Sequence, residues 1–191
     1  MRGVLRIRVG YAGGVEPNPT YLNIKDHSES VEIVYDPTRV GYENLLDVFW
    51  KGHDPTKDFS TQYASNIFYH DEEQRRAAEA SKLAVESLLG GPVFTSIRPA
   101  GVFTRAEDYH QKYFLQLRPV IAAEFARMYA DVQAGFDASA AAARINGFLG
   151  GFGGKAQLEE ELNWYGLGPA AVSSLLRETR DLPPDCSCVQ E

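Results

Sequence analysis

The fold is decided by residues 4–11, VLRIRVGY, in which apolar side chains alternate with basic or small ones. This period of two is typical of a half-buried strand, and the turn residues Ala12-Gly13-Gly14 end it. The alternation returns at residues 30–35, SVEIVY, which are followed by Asp36-Pro37. The two stretches therefore predict two strands, with Glu29 at or just before the start of the second.

Helical periodicity follows the second strand. Apolar residues recur at intervals of three and four between residues 42 and 52, which predicts a helix that ends before His53-Asp54-Pro55. Further along the first part of the chain we expect a strand at 63–69, a helix at 71–89, a strand at 93–97 and a helix at 104–117. Beyond Pro119 the pattern predicts only helices, at about 121–132, 138–148, 156–164 and 169–180.

Composition excludes several classes of protein. The chain has 191 residues and a net charge of -7, which argues against binding to a phosphate backbone. It has no apolar run long enough to span a membrane, and residues 1–15 lack the pattern of a signal peptide, so we expect a cytoplasmic protein. Its two cysteines, Cys186 and Cys188, cannot cross-link a core by disulfide bonds, so folding must depend on the burial of apolar side chains.

Several polar residues lie in loops or beside strand ends, where functional groups are commonly held: Tyr21, Glu29, Asp54, Asp58 and Tyr63. A desolvated carboxylate has a raised pKa and can donate a proton, and phenol hydroxyls can stabilise a developing negative charge. The alternative interpretation is structural, since such tyrosines often pack and such aspartates often cap turns.

The chain shows no pattern for a cofactor. Its four histidines, His27, His53, His70 and His110, lack the spacing of a zinc site. His27 and His53 could form an acid–base pair, although solvated loop histidines are the commoner case. The glycines at 150–154 follow no strand, so they do not predict a phosphate-binding loop. We therefore expect neither a metal nor an organic cofactor.

The C-terminal tail carries both thiols, at Cys186 and Cys188, after Pro183-Pro184. A thiol pair on such an end could exchange with another disulfide. The alternative is a pair of inert reduced thiols, because the neighbouring acidic residues Asp185 and Glu191 raise the pKa of a thiol.

Eight segments, in unbroken order over about residues 3–118, resemble the A-class peptide methionine sulfoxide reductases. They are Gly10-Tyr11-Ala12-Gly13-Gly14, Asn18-Pro19-Thr20-Tyr21, Asp26-His27-Ser28-Glu29, Tyr35-Asp36-Pro37, Leu45-Leu46-Asp47-Val48-Phe49-Trp50, His53-Asp54-Pro55-Thr56, Gln62-Tyr63-Ala64-Ser65 and Ala106-Glu107-Asp108-Tyr109-His110-Gln111. The segment Arg144-Ile145-Asn146-Gly147-Phe148-Leu149 also resembles the longer members of that family.

The resemblance implies an α+β fold, a two-layer sandwich with a ferredoxin-like mixed sheet and helices packed on it. Residues 1–118 would form the reductase-like domain without its first strand and helix, and residues 119–191 a C-terminal helical extension packed on the same domain. The implied activity is reduction of the S epimer of methionine sulfoxide, free or in proteins, as protein repair under oxidative stress. The partners would be oxidised proteins or peptides and thioredoxin as reductant, and we expect a monomer.

Family roles carry over to four residues of this sequence. Glu29 would be the acid, Tyr21 and Tyr63 the phenols that bind the sulfoxide oxygen, and Asp58 a supporting carboxylate. An acid is needed because sulfur is a poor electrophile until its oxygen receives a proton. Cys186 and Cys188 resemble the recycling cysteines of some members, although their spacing matches no pattern that we can assign.

The family's nucleophile lies in a Gly-Cys-Phe-Trp segment that would precede Arg2, and this sequence does not contain it. We expect the chain either to be a truncated form of a longer reductase or to be a member that no longer reduces its ligand. We favour truncation, because Glu29, both tyrosines and Asp58 remain. The alternative functions are a sulfoxide-binding module without catalysis and, with generic support only, a glycoside hydrolase that uses Glu29 and Asp58.

Overall fold

The computed structural model describes residues 1–184, which combine helices with small sheets and confirm the predicted α+β class. Contacts divide the chain into two units. The first comprises Met1–Val4 and Arg8–Glu107, and the second comprises Leu5–Ile7 and Asp108–Glu191. The proposed division into domains of residues 1–118 and 119–191 stays a prediction.

Strands in the described residues form two sheets. Their bounds are β1 Val4–Ala12, β2 Ser28–Tyr35, β3 Asn66–Tyr69, β4 Ser96–Pro99 and β5 Thr104–Arg105. β1 lies between β2 and β5, and β5 runs antiparallel to it with Thr104 opposite Tyr11. β3 and β4 form a separate parallel pair. The predicted mixed sheet is thus divided between a three-stranded sheet and a parallel pair.

A side chain joins the starts of two strands from different sheets. Ser28 is the first residue of β2, and Asn66 is the first residue of β3. The Asn66 Nδ2 donates a hydrogen bond to Ser28 Oγ over 3.0 Å. A link between side chains, rather than a shared backbone ladder, therefore connects these strand ends.

Two helices of the first unit pack on the parallel pair. Helix α1 spans Tyr42–Lys51, and α2 spans Glu72–Leu89. Asp71 caps α2 by accepting a hydrogen bond from the Gln74 amide over 2.8 Å, as its sequence spacing predicts. Their shared core comprises the buried residues Leu46, Trp50, Ile67, Ala78 and Val93. Because burial of such side chains drives folding, this core fixes the helices against β3 and β4.

The second unit is helical after a single-turn 3-10 helix at Asp108–His110. Its helices are α3 Tyr113–Gln116, α4 Pro119–Met128, α5 Val132–Ala138, α6 Ala140–Leu149, α7 Lys155–Glu161 and α8 Pro169–Glu178. Prolines open α4 and α8, where a missing amide hydrogen costs nothing. Fully buried residues from several of them form the core, among them Leu115, Ile121, Phe125, Ile145 and Leu175. In the described part of the chain no helix is both long and apolar enough to cross a membrane.

The predicted helix over residues 104–117 is wrong for most of its length. Thr104–Arg105 form β5, Asp108–His110 form the 3-10 turn, and only Tyr113–Gln116 are α-helical. Residues 104 and 105 pair with β1, a long-range contact that local periodicity does not reveal. Two strand boundaries also differ: β3 begins at Asn66 rather than at residue 63, and β4 covers 96–99 rather than 93–97.

Candidate functional site

The structure brings together three of the predicted site residues, Tyr21, Glu29 and Tyr63. The pKa of Tyr63 is raised above its ordinary value, first by the adjacent Tyr21 phenol, then by burial and by the Glu29 carboxylate. A hydrogen bond between the two phenols adds to this shift. Tyr63 consequently keeps its proton at neutral pH and can donate a hydrogen bond.

These groups are open to solvent. Tyr21 keeps 39% and Tyr63 keeps 55% of its surface exposed, and Glu29 is exposed at the start of β2. An incoming oxygen can therefore reach the phenol hydroxyls and the carboxyl group without rearrangement of the core. Two phenols and one protonated carboxyl group that lie near one another can offer several hydrogen bonds to one acceptor.

A tight turn presents Tyr21. Thr20 and Asn23 exchange backbone hydrogen bonds of 3.1 and 3.0 Å across it, so Tyr21 and Leu22 form its tip. The Tyr21 amide donates to Glu107 Oε1 over 3.0 Å, and the hydroxyl of Tyr11 donates to the other oxygen of the same carboxylate over 2.6 Å. Tyr11 lies in β1 and is 2% exposed, so this carboxylate attaches the turn to a buried residue.

A second pair of contacts sets Tyr63 beside Glu29. Residues 61–63 form a short 3-10 helix, and Ser28 Oγ donates to the Thr61 carbonyl over 2.7 Å. The residues that follow, Glu29 and Gln62, are also in contact: Gln62 Nε2 donates a hydrogen bond to Glu29 Oε1 over 2.8 Å. Two consecutive residues of β2 therefore hold two consecutive residues of the turn that carries Tyr63.

A partly buried chain of hydrogen bonds links Ser28, which contacts the turn of Tyr63, to the turn at Gly13. Arg98 donates to Asn66 Oδ1 over 3.1 Å and to the Gly13 carbonyl over 3.3 Å, and Asn66 in turn donates to Ser28. Gly13 has a φ of +87°, and a Cβ there would lie 2.5 Å from Arg98 Nη2. Glycine is required at position 13 because it adopts this positive φ without strain and has no Cβ to collide with the Arg98 guanidinium group.

Aspartates near the site have structural roles. Asp26 accepts hydrogen bonds from the amides of Val15 and Glu16 over 2.8 and 3.2 Å. The bond from Val15 is the main cause of the lowered pKa of Asp26, and partial burial opposes it. Asp54 accepts from the amide and hydroxyl of Thr56 over 3.1 and 2.6 Å, which lowers its pKa and identifies it as a turn residue.

Asp58 is not joined to the other three predicted residues. It lies exposed in the loop before residues 61–63, and in residues 1–184 its carboxylate makes no hydrogen bond or ion pair. The supporting role that we expected for Asp58 stays a prediction. Cys186 and Cys188 lie outside the described residues, so their predicted recycling role stays a prediction as well.

Two histidines predicted as solvated loop residues are built into the fold instead. His27 is 3% exposed and its Nε2 donates to the Glu16 carbonyl over 2.8 Å. His53 Nδ1 donates to the Phe49 carbonyl over 2.8 Å, so its Nε2 accepts from Ser65 Oγ over 2.9 Å. No interaction in the described residues pairs His27 with His53, and no cluster there suits a metal ion.

Sequence reasoning missed three residues that shape the site: Ser28, Gln62 and Glu107. All three lie inside the segments quoted for the family resemblance, but that resemblance assigned them no role. Their partners are 33 or 86 residues away along the chain, so no local pattern indicates the contacts. Glu107 was also expected on a helix, where its carboxylate would not be aimed at the turn of Tyr21.

Comparison with known proteins points to one family. The family model described as peptide methionine sulfoxide reductase matches residues 1–135. A peptide methionine sulfoxide reductase of Drosophila melanogaster is 42% identical over 171 residues, which cover 88% of this chain and 68% of the fly protein. The enzyme of the same name from Methanosarcina acetivorans is 47% identical over 126 residues, covering 60% of this chain and 67% of the relative.

Solved structures agree with the sequence comparison. Mxr1 from Saccharomyces cerevisiae in reduced form superposes with a TM-score of 0.57 at 29% identity, over 61% of this chain and 73% of the yeast chain. Methionine sulfoxide reductase A of Corynebacterium diphtheriae superposes with a TM-score of 0.52 at 35% identity, over 62% of this chain and 66% of the other.

Proposed function

The chain belongs to the peptide methionine sulfoxide reductase family of oxidoreductases, and on this basis we propose that Tyr21, Glu29 and Tyr63 form its sulfoxide site. The observation that carries the proposal is that Gln62 holds Glu29 next to Tyr63, whose phenol interacts with that of Tyr21, on an exposed surface. The sulfoxide oxygen accepts hydrogen bonds from the two hydroxyls, and Glu29 delivers the proton that this oxygen needs.

Reduction of a sulfoxide requires two thiols. The sulfur–oxygen bond breaks, the sulfoxide is reduced to a thioether, the thiols are oxidised to a disulfide, and the oxygen leaves as water. A thiol attacks the sulfur from the side opposite to the oxygen, while the acid protonates the oxygen. The phenols hold that oxygen in place, so the site contributes orientation as well as a proton.

The family membership supports several further points of the proposal. The substrate is the S epimer of methionine sulfoxide, free or in oxidised proteins, and the biological role is protein repair during oxidative stress. A dithiol protein of the thioredoxin kind supplies the electrons. We place the protein in the cytoplasm and expect it to act as a monomer.

A sulfoxide-binding module is the second candidate function. The sequence contains no cysteine before Cys186, so none of residues 1–184 can act as the attacking thiol. The groups proposed to recognise the oxygen, Tyr21, Glu29 and Tyr63, nevertheless lie near one another. A binder and a reductase would share the same oxygen site and differ only in turnover.

Removing both phenol hydroxyls is expected to weaken sulfoxide binding selectively. In the Tyr21→Phe/Tyr63→Phe variant the rings remain, but two donors are lost. At about 0.5–1.5 kcal/mol for each hydrogen bond, the dissociation constant for a methionine-S-sulfoxide peptide should rise about 5-fold to 150-fold. Isothermal titration of the variant and the unchanged chain, each with the sulfoxide peptide and its unoxidised parent, measures this.

The matched control is Tyr113→Phe, because Tyr113 is 53% exposed and lies in α3 of the second unit. It should leave both dissociation constants unchanged. If the unchanged chain binds the parent peptide as tightly as the sulfoxide, the proposed site is wrong, whatever the variants do.

A further inference from the structure

Glu107 is the residue through which the turn of Tyr21 is attached to the sheet. One carboxylate oxygen accepts from the Tyr21 amide over 3.0 Å, and the other accepts from the Tyr11 hydroxyl over 2.6 Å. Tyr11 is almost fully buried in β1 and pairs with Thr104 of β5, so it provides a rigid support. The turn itself is exposed, and Thr20 and Asn23 close it with two backbone hydrogen bonds and a third from the Asn23 amide to the Thr20 hydroxyl.

We infer that Glu107 is a positioning residue, which fixes the Tyr21 phenol against Tyr63 and Glu29 through the backbone of the turn. The inference rests on the proposed function, since the phenol is taken to bind the sulfoxide oxygen. A carboxylate suits this task because it accepts at both oxygens and carries the charge that strengthens each bond. Glu107 is placed to act on the site through Tyr21, because its carboxylate oxygens bond the Tyr21 amide and the Tyr11 hydroxyl.

The Glu107→Gln substitution removes the charge and replaces one of the two acceptor oxygens by an NH2 donor. A Gln side chain has one acceptor oxygen, so its amide nitrogen would face either the Tyr21 amide or the Tyr11 hydroxyl. With its oxygen toward the Tyr21 amide and its NH2 group donating to the Tyr11 hydroxyl oxygen, glutamine can keep both contacts, but it lacks the charge that strengthens them. The turn would then be held less tightly, and the phenol would spend less time beside Tyr63.

The test combines binding with amide exchange. In Glu107→Gln the dissociation constant for a methionine-S-sulfoxide peptide should rise roughly threefold to tenfold, because charge-assisted hydrogen bonds are replaced by weaker neutral ones. Binding of the unoxidised parent peptide should not change. Hydrogen exchange of the Tyr21 amide, followed by NMR, should become faster in the same variant. Tyr11→Phe, which removes the hydroxyl but keeps the ring, should shift both measurements in the same direction by a smaller amount.

Asp36→Asn is the matched control, because Asp36 also holds a turn, by accepting from the amide and hydroxyl of Thr38 over 2.9 and 2.7 Å. It should leave sulfoxide selectivity unchanged. Unchanged selectivity in Glu107→Gln, with selectivity present in the unchanged chain, would overturn the positioning role and leave the proposed function intact. If Glu107→Gln fails to fold, Tyr11→Phe decides the question by the same two measurements. Absence of selectivity in the unchanged chain would instead overturn the proposed function.

Discussion

Replacement of Glu161 by alanine is expected to lower the free energy of unfolding of the protein by about 3 kcal/mol, the cost of breaking a mostly buried ion pair. Arg144 Nε donates to Glu161 Oε2 over 2.8 Å, and a second guanidinium nitrogen donates to Oε1. The hydroxyl of Tyr165 donates to Glu161 Oε2 over 2.6 Å. The side chains of Arg144 and Glu161 are only 15% and 10% exposed, so alanine would leave a cation largely buried without this partner.

The pH dependence of this contribution follows from the pKa of Glu161. Burial acts to raise that pKa, but the hydrogen bonds from Arg144 and Tyr165 outweigh burial and hold it below its ordinary value. A carboxyl group with a lowered folded-state pKa stabilises the protein above its unfolded-state pKa and loses that effect as pH falls through the folded-state pKa. The difference in free energy of unfolding between the unchanged chain and the alanine variant should therefore become smaller below about pH 4.

Urea unfolding of both proteins between neutral and acid pH measures the effect. The matched control is Glu159→Ala, an exposed glutamate of the same helix α7, which should change the free energy of unfolding by less than about 0.5 kcal/mol. A destabilisation as small as that of the control would show that Glu161 and Arg144 do not act as a buried pair. If the difference in free energy of unfolding between the two proteins increased on acidification, the pKa of Glu161 would not be lowered in the folded state.

Local patterning predicted those elements whose contacts lie within one strand or helix. The alternation at residues 4–11 and 30–35 gave β1 and β2, and the capping signal at Asp71 gave the start of α2. The prediction of a helix at 104–117 was wrong because Thr104 and Arg105 pair with β1 as strand β5. Where a distant partner competes with a weak local preference, the distant partner decides the structure.

The same distinction applies to the site. Tyr21, Glu29 and Tyr63 were predicted because they stand in polar loops or at a strand end and match family segments. Ser28 and Gln62 were not predicted, since each acts through a contact 33 residues away. The residues proposed to carry the chemistry could be predicted from their residue types, whereas the residues proposed to position them are recognised only from the structure.

Turnover by the 191-residue chain is expected to be essentially absent with dithiothreitol as reductant. Reduction needs a thiol that attacks the sulfoxide sulfur, and the only thiols of this sequence are Cys186 and Cys188. We predict that neither serves as the nucleophile, so the Cys186→Ser/Cys188→Ser variant should match the unchanged chain. Formation of methionine from a methionine-S-sulfoxide peptide, followed by chromatography, measures this, and the Drosophila relative serves as the positive control.

Turnover and binding together separate the two candidate functions. Selective binding without turnover means that the oxygen site of Tyr21, Glu29 and Tyr63 is intact and that this chain lacks an effective thiol. Turnover that disappears in the double serine variant would contradict our prediction and assign the attack to the C-terminal pair. Turnover that persists without Cys186 and Cys188 would exclude thiol chemistry by this chain altogether, because no other residue of the sequence carries a thiol.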